Sequence, residues 1–383
     1  MVDYTLQMRQ TILFLSAALL LAACSKPAGV SREPFGELSD GTPVTVFHLR
    51  NSGGASMDVT DYGCRVVSIF MPDRTGRMDD VVVGPGNIEA FEKGPERFFG
   101  PVIGRYGNRI NHSAFEIDGV RYEVTANEKL AGEPVCCHGG PLGFDRQMWE
   151  GTAVSEAGRC GVRFHRVSPD GEQGFPGNLD ATVTYWLTDD NTVRMEYEAT
   201  SDKPTVVNLS NHTYFNMHGS AGSYVMEQLL QVEADTTVQN NLQMCPDLML
   251  PVDGTPFDFR EAHTVDYRLD MPNEQLRIMK GMSACWQIRG YDGTLRRAAD
   301  LYDPRTGRGV ETWTTEPALL TFTGRTFDPS KHVGKYGPIQ KYGGMLLETI
   351  HFADSPNQPR FPSAVLRPGE KYFSTTEYRF YAK

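Results

Sequence analysis

Several features that would mark a nucleic-acid-binding or a membrane-spanning protein are missing from the sequence. No block of Lys and Arg is long enough to follow a phosphate backbone, and 37 basic against 48 acidic residues give a formal charge of −11. The apolar run at residues 11–23 is about 13 residues long, which is too short for a helix that crosses a bilayer. We therefore expect no nucleic acid among the partners of this chain.

Cysteines with the spacing of a metal or redox site are also missing. None lies in a Cys-x-x-Cys pair or in a Cys/His set with zinc spacing, so we predict no metal site. A core of the size this chain can form does not need disulfides. We expect mostly reduced, buried thiols at the six cysteines that follow residue 24, namely Cys64, Cys136, Cys137, Cys160, Cys245 and Cys285.

Helical patterning is scarce as well, since 38 Gly and 24 Pro break the chain at about one residue in six and no amphipathic stretch exceeds three turns. The dominant period is two. Residues 181–187 and 193–199 alternate around a polar turn, and Asp118-Gly119 joins two shorter alternating stretches, which is typical of β-hairpins. The pattern predicts an all-β sandwich or barrel of antiparallel sheets, in a single domain over residues 37–383.

The N-terminal residues follow the pattern of a bacterial lipoprotein signal peptide. A lone Arg9 precedes the apolar run, which ends in Leu-Ala-Ala-Cys24 and resembles a lipobox. We expect a signal peptide over residues 1–23, a lipid on Cys24 and a tether over residues 24–36. The chain would then be an exported lipoprotein, periplasmic or associated with the outer membrane of a bacterium, that meets the membrane only through this anchor. The alternative is cleavage at the small Ala residues, with Cys24 incidental.

Four segments crowd polar side chains where a β-sandwich would otherwise alternate. They supply two histidines on loop-like sequence, one Glu inside an apolar strand, and Asn and Arg donors. That set of groups suits acid–base chemistry on a neutral polyol. The segments are residues 104–110, 138–145, 208–216 and 347–362.

Together these segments closely resemble the aldose 1-epimerases, the galactose mutarotases, from about Val59 to the C-terminus. Further matches follow in the family's order at residues 59–63, 71–76, 80–84, 254–260, 314–317 and 366–370. The resemblance implies a large antiparallel β-sandwich, the galactose mutarotase-like supersandwich, with a monosaccharide bound in a cleft on one face. It also implies interconversion of the α and β anomers of a free aldose without a cofactor.

The resemblance assigns catalytic roles to three residues: Glu348 would be the base, His212 the acid, and His138 would assist at the ring oxygen. Substrate binding is expected at Asn108, Arg109, Tyr214 and Ser283. The unperturbed pKa values of a Glu and a His are about 4.3 and 6.5, so an ionised Glu348 and a protonated His212 coexist near neutral pH, and their attraction should widen the gap.

The same residue types also have purely structural interpretations. A Glu in a strand can be its solvent-facing member, and a lone loop histidine is often only hydrogen-bonded. Arg109 is compatible with a surface ion pair, and Tyr214 with a core aromatic. For Asp145 we prefer the structural interpretation, a turn carboxylate that accepts backbone N–H groups.

The sequence departs from the family at the sugar pocket. By its distance along the chain, the Asp with which family members usually bind the sugar aligns with Ser283. Asp292, further along, is the other candidate, but it fits a hairpin turn. Leu320 and Ile350 stand where the family usually has Gln. We therefore expect an altered sugar preference.

Three other functions are alternatives to epimerisation. A carbohydrate-binding protein that has kept the fold and lost turnover is the main alternative. A glycoside hydrolase would need a second carboxylate opposite Glu348. A sugar-phosphate epimerase would need additional Lys or Arg side chains in the cleft, which the matched segments do not supply.

Overall fold

The two-residue alternation of the sequence produces strands along nearly the whole chain. A computed structural model describes residues 28–220 and 224–383, so the predicted signal peptide and Cys24 lie outside the described residues. Helix is limited to α1 (Ile88–Lys93), α2 (Glu274–Met279) and a few single 3-10 turns in the described part of the chain. None of the described helices is long and apolar enough to cross a bilayer.

The strands of the described residues are numbered in chain order. The first half comprises β1 Gly29–Glu37, β2 Pro43–Arg50, β3 Ser56–Thr60, β4 Val66–Pro72, β5 Met78–Asp80, β6 Val82–Val83, β7 Val102–Ile103, β8 Arg109–Asn111, β9 Ala114–Ile117, β10 Val120–Glu123, β11 Glu128–Leu130, β12 Glu133–Cys137, β13 Glu150–Glu156, β14 Arg159–Ser168, β15 Leu179–Thr188 and β16 Thr192–Ser201. The second half comprises β17 Thr205–Val206, β18 Ser210–Asn211, β19 Tyr214–Phe215, β20 Leu229–Val232, β21 Ala234–Asn240, β22 Pro246–Pro251, β23 His263–Thr264, β24 Ser283–Ile288, β25 Arg296–Tyr302, β26 Arg308–Thr314, β27 Ala318–Phe322, β28 Val333–Gly334, β29 Gly337–Pro338, β30 Met345–Ile350, β31 Val365–Leu366 and β32 Tyr372–Ala382.

Three antiparallel sheets make up most of the molecule, as the sequence predicts. The largest has nine strands in the order β13-β14-β15-β16-β32-β26-β25-β20-β23, the second has seven in the order β22-β21-β24-β27-β30-β19-β6, and the third has five in the order β1-β2-β3-β4-β5. The hairpin predicted around residues 189–191 is β15–β16. The Asp118-Gly119 turn joins β9 to β10 with both residues at positive φ, 53° and 78°, as a type I′ turn requires.

The main core lies between the nine-stranded and seven-stranded sheets. Phe215 on β19 packs against Tyr378 on β32 with 4.8 Å between ring centroids. The Tyr378 hydroxyl also donates a 2.6 Å hydrogen bond to the carbonyl of Leu347 on β30. The two sheets are therefore joined by aromatic packing and by a buried side-chain to backbone bond.

Strand β30 is buried on both faces, and each face packs in a different part of the molecule. Met345 and Leu347 belong to the core between the sheets. Leu346 faces the other way and joins a separate cluster that includes Tyr214 and Phe327. Because side chains alternate along a strand, Glu348 lies on this second, outer face of the seven-stranded sheet.

The tether predicted over residues 24–36 is wrong from Gly29 onward, since these residues form the edge strand β1 paired with β2. The small, polar composition concealed two anchoring side chains: Val30 packs on the main core, and Phe35 stacks on Phe91 of α1 at 6.1 Å. The single domain over residues 37–383 stays a prediction. All six of these cysteines are buried in the described ranges, and none forms a disulfide there.

Candidate active site

A cleft of about 430 Å³ opens on the outer face of the seven-stranded sheet, and the predicted site residues meet there. Its lining includes Asn108, Arg109, His138, His212, Tyr214 and Ser283. Glu348 lies beneath it on β30, directly opposite Leu320 of the neighbouring strand β27, whose side chain also lines the cleft. Residues as far apart in sequence as Tyr214 and Glu348 are thus brought together, because β24, β27, β30 and β19 are consecutive neighbours in one sheet.

Glu348 is a buried carboxylate that no side chain neutralises by direct contact. Its side chain is 0% exposed, and neither carboxylate oxygen has a hydrogen-bond partner among the described residues. Desolvation disfavours the charged form and raises the pKa of Glu348 to about 8, although the positive charge of Arg109 opposes the shift. The solvent-facing interpretation of this Glu is therefore wrong, because its face of the sheet forms the bottom of the cleft.

His212 stands beside Glu348, with 3.9 Å between its Nε2 and the carboxylate Oε2. The backbone on either side is fixed, since the His212 N–H donates to the Pro101 carbonyl and the His212 carbonyl accepts from Gly100, both at 2.9 Å. The imidazole lies among the rings of Phe98, His138 and Tyr214, at centroid distances of 5.2 to 5.6 Å. Burial lowers the pKa of His212 to about 4.

The predicted widening of the gap between these two pKa values is wrong. Burial raises the pKa of Glu348 and lowers the pKa of His212, so the two values cross instead of moving apart. Two desolvation costs outweigh one attraction across 3.9 Å. The pair still holds one proton near neutral pH, but that proton rests on Glu348. The form with an ionised Glu348 and a protonated His212 differs from this one only in the position of a single proton.

His138 is held by a reciprocal pair of hydrogen bonds with Asn108. The Asn108 N–H donates to His138 Nδ1 and the His138 N–H donates to the Asn108 carbonyl, both at 3.0 Å. Because Nδ1 accepts a bond, a neutral His138 carries its proton on Nε2. Burial and the neighbouring His212 hold the pKa of His138 well below its usual range. The ring can therefore serve the cleft as a neutral donor.

Arg109 lies in the cleft wall and not on the open surface. Its Nε and Nη2 donate to the two carboxylate oxygens of Glu128 at 2.8 and 3.1 Å, and its side chain is only 19% exposed. Tyr214 is a wall residue packed on His212, Phe99 and Phe327, so its core interpretation and its place in the cleft are both correct.

Ser283 and Leu320 both line the cleft, from the adjacent strands β24 and β27. Asp292 lies instead in an exposed turn, where its carboxylate accepts from the N–H and the hydroxyl of Thr294 at 2.9 and 2.6 Å. Of these two positions, Ser283 is the one that lines the cleft, and its role in sugar binding stays a prediction.

Sequence reasoning missed two arginines of the cleft, Arg97 and Arg325. Arg97 binds Asp145 in a fork, with contacts of 2.8 and 2.5 Å, so Asp145 is structural through this ion pair and not through backbone N–H groups. Arg325 follows β27 by three residues, and its Nε donates to the carbonyl of Met279. Its nearness in sequence to Leu320 was the one signal that could have found it.

The cleft has no obvious metal-holding group. Within residues 28–220 and 224–383, no three His, Cys, Asp or Glu side chains are grouped so that they could bind a metal ion. What the arrangement offers is one proton shared by two buried groups, a neutral imidazole donor and several polar side chains. Such a site can move protons on a bound polyol.

Comparison with known proteins agrees with this chemistry. The family model for aldose 1-epimerase matches residues 45–379. Human galactose mutarotase is 37% identical over 362 residues, covering 92% of this chain and 99% of the human protein. The aldose 1-epimerase of Escherichia coli K12 is 35% identical over 349 residues, covering 90% of this chain and 97% of that protein.

Two solved structures have a similar fold. The galactose 1-epimerase of Lactobacillus acidophilus superposes with a TM-score of 0.80 at 24% identity, covering 93% of this chain and 99% of that one. A GalM/aldose epimerase homologue from C. elegans superposes with a TM-score of 0.77 at 27% identity, covering 88% and 98%. The supersandwich predicted from the sequence is confirmed.

The predicted localisation, an exported lipoprotein of the periplasm or outer membrane, is wrong by these comparisons. Relatives that match over 90 to 92% of the chain include the galactose mutarotases of human and mouse and the aldose 1-epimerase of E. coli, and they give no support for export. The prediction rested on residues 9–24 alone, where a short apolar run before small residues was interpreted without the rest of the chain.

Glu348→Gln should stabilise the protein increasingly as the pH rises. The folded chain keeps a proton on Glu348 up to about pH 8, whereas the unfolded chain releases it near 4.5, so the wild-type free energy of unfolding falls between these values. The variant lacks this titration. The difference in Tm between variant and wild type, measured by calorimetry, should become more positive from about pH 5 to about pH 8.

Glu150→Gln, at an exposed position of β13, is the matched control and should show the same Tm difference at both pH values. A Tm difference for Glu348→Gln that is equally independent of pH would mean that Glu348 is not held protonated in the folded chain.

Proposed function

The chain belongs to the aldose 1-epimerase family, whose reaction is the interconversion of the α and β anomers of free aldoses, and we propose that Glu348 is its base and His212 its acid. The protein is an isomerase. The observation that carries the proposed roles is a buried carboxylate without a hydrogen-bond partner, 3.9 Å from a buried imidazole at the bottom of one cleft.

The reaction needs two proton transfers at neighbouring oxygens of a hemiacetal. Glu348 takes the proton of the C1 hydroxyl while His212 gives a proton to the ring oxygen, and the bond between C1 and the ring oxygen breaks. The resulting aldehyde rotates about the bond between C1 and C2. Closure on the other face returns the proton from Glu348 to the C1 oxygen and the proton of the ring hydroxyl to His212. No net proton enters or leaves the site.

Desolvation makes the resting form of the pair the same as its form in the open-chain state. When the ring opens, the pair changes from ionised Glu348 and protonated His212 to neutral Glu348 and neutral His212. The second form is the one that burial favours, by raising the pKa of Glu348 and lowering that of His212. Ring opening therefore recovers the free energy that forming the ionised pair costs, and the open-chain state is held beside two neutral groups.

His138 and Arg109 have supporting roles in this proposal. Because Nδ1 of His138 accepts the Asn108 N–H, Nε2 is the imidazole nitrogen left to face the substrate. Its N–H donates a hydrogen bond to the ring oxygen of the sugar. Arg109 favours the ionised form of Glu348 through its charge, and it is held in place by Glu128. Asn108 and Tyr214 shape the wall against which the sugar rests.

A carbohydrate-binding protein without turnover is the other function considered for this fold. It would need a broken acid–base pair, whereas Glu348 and His212 lie 3.9 Å apart at the bottom of the cleft. Neither the comparisons nor the geometry of the described residues favours this alternative.

Glu348→Gln should lower the catalysed rate by at least about 10²-fold, because it removes the base while keeping the shape, and such groups contribute roughly 10²–10⁴-fold. Polarimetry of freshly dissolved α-glucose and α-galactose measures this loss, with Glu150→Gln as the control that should retain full activity. Near-full mutarotation by Glu348→Gln would make Glu348 an ordinary strand residue.

The pH profile of kcat/KM should be level between the two shifted pKa values. Below about pH 4 both groups are protonated and no base remains, and above about pH 8 both are deprotonated and no acid remains. After subtraction of the buffer-catalysed rate, anomer exchange followed by NMR should fall on either side of this window. An alkaline limb near about pH 6.5 would contradict the inferred effect of burial on His212.

Ser283 and Leu320 should disfavour a sugar hydroxyl that the family's Asp and Gln would bind. A hydroxyl left without a partner against Leu320 costs about 1–3 kcal/mol, a penalty of about 5- to 150-fold. Galactose and glucose should therefore react less well than an aldose that lacks or reorients that hydroxyl. Ser283→Asp with Leu320→Gln should shift preference toward galactose, with each single variant as control. Efficient turnover of galactose by the wild type, unchanged in the double variant, would refute this.

A further inference from the structure

We propose that this cleft takes an aldose with an anionic substituent, a carboxylate or a phosphate ester, on the side of the ring away from C1, and that Arg325 binds that group. The proposal rests on the epimerase function and narrows its substrate class. Its basis is the pairing of the arginine and carboxylate side chains that line the cleft.

Two of the three arginines that line the cleft are already neutralised. Arg97 forks onto Asp145 and Arg109 forks onto Glu128, each through two N–H groups. Such paired carboxylates leave the arginine little capacity for a further anion. Neither of these arginines therefore requires a charged ligand.

Arg325 differs from both. It forms no ion pair with any carboxylate of the described residues, and its Nε alone is hydrogen-bonded, to the carbonyl of Met279. Its guanidinium lies over the ring of Phe322, with Cζ 4.8 Å from the centroid. Neither Nη atom has a hydrogen-bond partner in the described parts of the chain. The group is thus fixed in position by its Nε and its face, while two donor nitrogens remain for a ligand.

The surroundings of Arg325 increase the cost of leaving it unpaired. Its side chain is half-buried, and burial together with the charge of Arg109 lowers its pKa from the ordinary value. A partly desolvated cation beside another cation is stabilised by an anion that enters the cleft. The other cleft carboxylates do not provide one: Glu128 is held by Arg109, and Glu96 accepts the N–H of Phe98 at 2.9 Å.

The cleft wall beside Arg325 carries a hydroxyl and not a carboxylate. Ser283 pairs across the sheet with Phe322, the residue that Arg325 covers, and it occupies the position where the family usually carries an Asp. A hydroxyl at this position can donate to an anion, whereas a carboxylate would oppose it. A hydroxyl donor and a guanidinium without a carboxylate partner thus lie at the same end of the cleft.

The spacing along β27 fits a sugar substituent far from the reacting carbon. Leu320 lies opposite Glu348, and Phe322 is two residues further along the strand, which is about 7 Å. This separation is comparable with the length of a pyranose. A sugar with C1 at Glu348 therefore directs its far substituent toward Arg325, and keeps the anion away from the carboxylate that must act as base.

The test compares three pairs of sugars at equilibrium by NMR exchange spectroscopy: glucose with glucuronate, galactose with galacturonate, and glucose with glucose 6-phosphate. The wild type should show kcat/KM at least roughly 10-fold higher for a uronate or for the phosphate ester than for its neutral parent. The uronate and phosphate arms identify which anion is bound.

Arg325→Met should remove that preference by roughly 10- to 100-fold, mainly through KM, and Arg325→Lys should restore part of it. Ser283→Asp should also lower the preference for the anionic sugar over its neutral parent. Arg121→Gln removes one positive charge at an exposed position of β10 and is the matched control, with the preference unchanged. If Arg325→Met does not fold, the preference of the wild type and the effect of Arg325→Lys still decide.

Turnover of neutral aldoses with no gain for any anionic sugar would overturn this inference and leave the epimerase function intact. Absence of turnover with every aldose would instead overturn the proposed function. In that case, binding of glucuronate or glucose 6-phosphate by wild type but not by Arg325→Met, measured by ligand-observed NMR, would still support the anion site, and equal binding by both would refute it.

Discussion

The chemistry of the cleft depends on the burial of one carboxylate in the outer face of an apolar strand. Glu348 is surrounded by strand neighbours on β27 and β19 and by the wall residues above them, and neither of its oxygens finds a partner among the described residues. An unsolvated carboxylate is costly, so it holds a proton that an exposed Glu would release. The same desolvation affects His212 in the opposite direction. The proton distribution of the whole site follows from this one constraint.

The architecture supports that burial from behind. Alternation along β30 sends Met345 and Leu347 into the core between the two large sheets, where Tyr378 binds the carbonyl of Leu347. The inner face fixes the height and register of the strand, and the outer face presents Glu348 to the cleft. Stability and reactivity are thus assigned to alternate residues of the same six-residue strand.

Much of this could be predicted from the sequence because the informative segments are local. The hairpins follow from two-residue alternation, and the polar segments around His138, His212 and Glu348 carry their family resemblance in consecutive residues. The failures concern contacts between distant segments. Residues 29–36 have the composition of a linker, and only their pairing with β2 makes them a strand. The position of Arg325 depends on a hydrogen bond from its Nε to the carbonyl of Met279, a residue 46 positions earlier in the sequence.

The crossing of the two pKa values belongs to the same class of failure. A sequence gives the intrinsic acidity of Glu348 and His212, whereas their acidity in the fold depends on how completely water is excluded, and that depends on residues from many separate strands and loops. The expected ion pair and the neutral pair that burial favours differ in the position of one proton, and the environment decides which of the two forms.

The reciprocal hydrogen bonds between His138 and Asn108 also affect which groups of the cleft can exchange protons. Both residues adopt left-handed backbone conformations, with φ of 51° and 61°, which turns each backbone N–H toward the other residue. A ring nitrogen occupied by a backbone donor cannot take up a proton without breaking that bond, so His138 is removed from the acid–base equilibrium of the cleft. The rings of His138 and His212 contact each other there, with 5.2 Å between centroids, and under the proposed roles His212 is the one that exchanges a proton with the sugar.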